Sequence, residues 1–72
     1  MTWQEFSIWC THQGFNAPTV IQGVNGRDAY PYYVRITWGK GKDQGSKGYG
    51  IAAQKPTPAE LQAIVDNPCL PQ

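Results

Sequence analysis

The residues of this chain best equipped for chemistry are few. His12 is the only histidine, and Cys10 lies two positions before it. Residues two apart on a helix point about 160° away from each other, so no thiolate–imidazole pair can form there. Cys10, Cys69 and His12 fall short of the three or four ligands a zinc site takes, so no metal is expected. The five carboxylates are scattered, and Glu5 and Glu60 stand in capping positions. None is paired for acid–base work. The chain is therefore expected to be non-enzymatic, with no cofactor.

What remains is binding chemistry. Arg27, Arg35, Lys40, Lys42, Lys47 and Lys55 all fall between positions 27 and 55, with only Asp28 and Asp43 among them. That stretch is +4 inside a chain of formal charge +1. Such asymmetry steers anionic partners. A pI near 7.8 is low for a nucleic-acid domain, where values are often above about 9. Residues 39–48 form a glycine-rich polar segment holding Lys40, Lys42 and Lys47. It lacks the G-x-x-x-x-G-K-[ST] order of a P-loop, since Ser46 precedes Lys47. It reads as a flexible basic hairpin loop, either merely solvated or touching phosphates or an acidic protein surface.

These groups are positioned by a short series of elements. Thr2-x-x-Glu5 is a capping box and starts a helix. Trp3, Phe6, Trp9 and Cys10 share one of its faces, and Gly14 suits the left-handed residue past its end. Ile8 is an apolar residue on the polar face. Residues 19–24 read as a strand, followed by Asn25-Gly26, a two-residue hairpin signal. Residues 32–38 alternate: Tyr32, Val34, Ile36 and Trp38 on one face, Tyr33, Arg35 and Thr37 on the other. That pattern predicts one buried and one wet face. Residues 49–54 read as a third strand, where Gly50 marks a bulge or a close approach. Thr57-Pro58-Ala59-Glu60 is a second capped helix start, and Leu61, Ile64 and Val65 give it an apolar stripe. Asn67-Pro68 ends it.

The expected fold is therefore α+β: helix, three-stranded antiparallel meander, helix, with both helices on one face of the sheet. All 72 residues fit one domain. A chain this short buries only about 60% of its unfolded surface, so most of the nine aromatics are expected in the core. Charged residues make up 15%, and the composition is neither disordered nor collagenous. No apolar run approaches the ~18 residues of a membrane span, and residues 1–5 lack a signal-peptide pattern. A cytoplasmic protein with reduced cysteines is expected, a Cys10–Cys69 bridge being the alternative.

Several segments resemble the double-stranded-RNA-binding domain. Trp9-Cys10-Thr11-His12-Gln13-Gly14-Phe15 is similar to the end of that family's first helix. Ala17-Pro18-Thr19 resembles the approach to its first strand, and Gly48-Tyr49-Gly50 its small-residue third strand. Gly26-Arg27-Asp28-Ala29-Tyr30-Pro31 resembles its G-P-x-H-x-P loop, which reaches into the RNA minor groove. The resemblance implies an αβββα fold. It also carries departures at the RNA-contacting positions. The first-helix glutamate corresponds to Ile8, the loop histidine to Ala29, and the lysine clamp of the second helix to Thr57-Pro58-Ala59. Only Lys55 remains nearby.

Two functions follow as expectations. The first is a small non-enzymatic protein-binding module that docks on a larger protein or complex and modulates it. Inhibition of the kind exerted by phage or mobile-element proteins is the expected mode. Its partner-binding residues are Tyr33, Arg35, Lys40, Lys42 and Lys47, with Ile8 as an outlying candidate. The second is a nucleic-acid-binding domain contacting phosphates through Arg27, Lys40, Lys42, Lys47 and Lys55. Monomer and homodimer both remain open.

Overall fold

A computed structural model describes residues 1–68. Its order is α1 (Trp3–His12), β1 (Thr19–Gln22), β2 (Tyr32–Trp38), β3 (Gly45–Ile51) and α2 (Pro58–Asp66). A 3-10 turn, Gly41–Asp43, lies between β2 and β3. The strands form one antiparallel sheet in the order β1-β2-β3, the expected α+β meander between two helices.

Both helices start as their sequences dictate. Thr2 Oγ1 accepts from Glu5 N at 3.1 Å, and Glu5 Oε1 accepts from Thr2 N at 2.7 Å. Thr57 and Glu60 repeat the box on α2, with Pro58 at its first turn. Each cap satisfies backbone amides that the helix cannot. At the other end of α1, Phe15 N donates to Cys10 O and Gly14 N to Thr11 O, at 2.9 and 3.0 Å. That is a Schellman motif, and it needs Gly14 at φ +85°.

The motif turns the chain so that Phe15 packs between Trp9 and Trp38, with ring centroids 6.2 and 6.0 Å away. Asn16 N then donates to Thr37 O at 2.9 Å, fastening the end of α1 to the end of β2. The core is Phe6, Cys10, Val34, Ile36, Ile51, Leu61 and Ile64. It lies between the helices and one sheet face, and each such side chain contributes about 1.5–3 kcal/mol on burial. Trp3 and Tyr30 depart from the expected aromatic core, at 36% and 52% exposure.

Three sequence expectations are corrected. Asn25-Gly26 is not a two-residue hairpin. β1 stops at Gln22, and the connection to β2 spans residues 23–31. A type I′ turn needs positive φ at both central residues, and only Gly26 has it. Instead, Val24 N donates to Asp28 Oδ2 at 2.7 Å while Asp28 N returns a bond to Val24 O at 2.9 Å. Second, the loop after β2 is residues 39–44, because residues 45–48 already pair with β2. A side chain at Gly45 would run into the Trp38 ring, so that position takes a glycine. Third, β3 ends at Ile51, so residues 52–54 are bends, not strand. Gly50 marks a close approach, that of the Tyr30 ring. Cys69, and hence its pairing with Cys10, lies outside the described residues.

Candidate functional site

The register divides the sheet into two faces. Val34 pairs with Tyr49 and Ile36 with Lys47, and these side chains face the helices. Tyr33 pairs with Ile21 and Gly50, Arg35 with Thr19 and Gly48, and Thr37 with Ser46. These side chains face away from both helices, on a face that no described element covers. The expected alternation of β2 is therefore present, with Val34 and Ile36 buried and Arg35 exposed.

The open face is shaped by its glycines. Gly50 leaves room for the Tyr30 ring, which meets the Tyr33 ring edge-on at 6.1 Å. Tyr30 N donates to Tyr33 Oη at 3.3 Å, so the two tyrosines brace each other. Tyr33 itself is half-buried between Gly23 and Gly48. Beside it lies a shallow hollow of about 270 Å³, whose walls include Gln22, Arg27, Tyr33, Arg35 and Ser46. Asp28 is also in its wall and pairs with Arg27 at 3.8 Å, the single ion pair among the described residues. Arg35 has no such partner there. Ile21, at 40% exposure, supplies an apolar rim.

The predicted contact residues do not form one group. Tyr33 and Arg35 lie together on the open face, joined by Arg27 through the hollow. Lys40 and Lys42 lie at the β2–β3 connection, at one end of the sheet. Lys47 is on the opposite face, across from Ile36, because pairing places it one residue out of phase with Arg35. Lys55 follows the far end of β3, about 20 Å along the sheet from the Lys40–Lys42 end. Neither the set Tyr33, Arg35, Lys40, Lys42, Lys47 nor the set Arg27, Lys40, Lys42, Lys47, Lys55 is therefore one continuous surface. Ile8 is 52% exposed on α1, which covers the other face.

Sequence reasoning missed Ile21 and Tyr30 as surface groups. The signal for Ile21 was parity with Val20, which packs on the core.

The remaining reactive groups are committed elsewhere. The Cys10 thiol is buried in the core, and burial pushes it up to about 11. Glu5 and Glu60 are held below the usual carboxylate range by the backbone amides of Thr2 and Thr57. His12 is exposed in the last turn of α1. Among the described residues, no three His, Cys, Asp or Glu side chains come together as a metal site would require. No helix among them is long and apolar enough to cross a membrane. Comparison with known proteins returns no matching family model, no similar curated protein and no similar solved structure.

Proposed function

We propose that this protein is a small binding module that docks on a larger protein through the open face of its sheet and modulates that partner. One observation supports this reading most strongly. Ile21, Tyr30 and Tyr33 share the open face with Arg27 and Arg35. Aromatic and arginine side chains around an apolar patch are the composition of protein interfaces. Arg35, without an acidic partner among the described residues, is suited to a carboxylate on the other protein. Inhibition of a macromolecular machine in the cytoplasm is the mode of action we favour.

The nucleic-acid reading draws on the αβββα order shared with the family the chain resembles. It is the weaker of the two. Phosphate tracking needs cations in line, and Lys47, Lys55 and the Lys40–Lys42 pair lie on different parts of the molecule.

The test is affinity capture from host lysate with the full chain, in nuclease-treated and untreated halves. Ile21→Asp and Arg35→Glu variants are run beside the Lys40→Ala/Lys42→Ala pair. A stoichiometric protein that survives nuclease and is lost with the two open-face variants is the expected result. Retention by both variants, or loss of every partner after nuclease, overturns the reading.

A further inference from the structure

The connection between β1 and β2 exposes a reactive pair. Asn25 is exposed and is followed by Gly26. The side-chain amide of an asparagine is open to attack at Cγ by the main-chain nitrogen of the next residue, which closes a five-membered ring. A folded protein slows that step in two ways. A hydrogen bond holds one of the two groups, or a β-carbon on the next residue screens its nitrogen.

Neither protection operates at Asn25. Its side chain makes no hydrogen bond among the described residues, and the Gly26 N–H makes none either. Gly26 has no β-carbon, and nothing stands within 4 Å of where one would be. Arg27 N and Asp28 N both donate to Val24 O, at 3.1 and 2.9 Å. Those bonds close a turn with residues 25 and 26 at its tip, where Gly26 takes φ +83°.

The other amide side chains before a glycine, and the other described asparagines, are guarded. Asn16 Nδ2 donates to Thr37 Oγ1 at 3.2 Å, and Ala17 follows with its β-carbon. Asn67 is followed by Pro68, whose nitrogen carries no hydrogen. Gln13 and Gln22 precede glycines whose N–H groups donate to Thr11 O and Pro31 O. Gln44 precedes Gly45, which is held in the ladder opposite Trp38. A glutamine must also close a larger, six-membered ring.

We propose that Asn25 is a site of spontaneous deamidation in the folded protein. Gly26 N bonds to Asn25 Cγ and gives up its proton, and the side-chain nitrogen leaves as ammonia. Water then adds to one of the two carbonyls of the succinimide and breaks its bond to nitrogen. Opening at Cγ yields aspartate. Opening at the main-chain carbonyl yields isoaspartate, with the chain running through Cβ. Either product adds a carboxylate, so the formal net charge falls from +1 to zero. The new charge stands two positions from Arg27, on the wall of the open-face hollow. The reaction needs only water and no partner, so it stands apart from the docking reading.

The test ages the full, folded chain near pH 7.5 at about 37 °C, in ordinary water and in water enriched in oxygen-18, beside the same chain unfolded in guanidinium. Peptide mass spectrometry is expected to find a gain of about 1 Da at Asn25, or about 3 Da with the heavy oxygen, as a mixture of aspartate and isoaspartate. The native rate should lie within about tenfold of the unfolded rate, and at least about tenfold above the native rate at Asn16. Asn25→Gln should abolish the gain at that position without changing Tm. Conversion confined to the unfolded chain overturns the proposal, as does equal conversion at Asn16 in the native protein. Absence of conversion in both states, or a mass gain that does not take up the heavy oxygen, overturns it too.

Discussion

The ring of Tyr30 rests on the α-carbon of Gly50. A β-carbon built at Gly50 would run into Cγ and Cδ2 of that ring. A glycine in β3 thus fixes the place of an aromatic side chain from the β1–β2 connection. Tyr30 in turn donates its backbone N–H to Tyr33 Oη, so the aromatic part of the open face hangs on one missing methyl group.

Gly50→Ala is therefore expected to destabilise the protein by about 1–3 kcal/mol, the range for forcing an extra group into a packed site. Gly50 does not have positive φ, so steric conflict is the cause, not backbone strain. In a Tyr30→Ala background the same substitution should cost under about 0.5 kcal/mol, because the two effects share one contact. Urea melts of the four proteins in the cycle measure this. Equal costs in both backgrounds would disprove the relationship.

Acid should weaken the fold through its two capping boxes. Glu5 and Glu60 have folded-state pKa values lowered chiefly by the Thr2 and Thr57 amides. A depressed carboxyl contributes stability above its unfolded pKa and loses it as pH falls through the folded value. Stability should therefore fall as pH drops below about 4.5, the ordinary glutamate value. Glu5→Gln and Glu60→Gln should each flatten that decline, read as Tm against pH. An unchanged pH profile in the double variant would contradict this.

Cys10 should behave as a core residue and not as a reagent. With its thiol raised to about 11, little thiolate exists near neutrality, and the side chain is fully buried. Iodoacetamide at pH 7.5 should label it at least about a hundredfold more slowly than in the urea-unfolded chain. Mass spectrometry of the peptide containing Cys10 gives the rate. Cys10→Ser should cost about 1–3 kcal/mol, since it buries a hydroxyl among Phe6, Ile36 and Leu61. Fast native labelling would show that the core opens around α1.

The parts of the fold that were legible in the sequence are those set by neighbours in the chain. Thr2 and Glu5, Thr57 and Glu60, and Gly14 all act within one helical turn, and each does what its type and spacing imply. The alternation from Tyr32 to Trp38 gave the two faces of the sheet correctly. What failed depends on partners that lie outside the segment being read. Residues 45–48 look like loop because they are small and polar, yet Thr37 and Trp38 recruit them into β3. Asn25-Gly26 looks like a tight hairpin, yet Asp28 binds Val24 and widens the connection. The candidate site suffered from the same cause. Lys47 is separated from Arg35 by register parity, which only the pairing reveals.

The meander has a kinetic side. Every strand pairs with its sequence neighbour, so the sheet closes loops of about ten residues or fewer, at small entropic cost. The contact between Phe6 and the α2 residues Leu61 and Ile64 instead joins positions more than 50 apart in the chain. On loop-closure entropy alone, the two successive hairpins are expected to pair before the terminal helices dock over them. In that order the buried face is the last surface to leave water, and the open face is in place once the hairpins are.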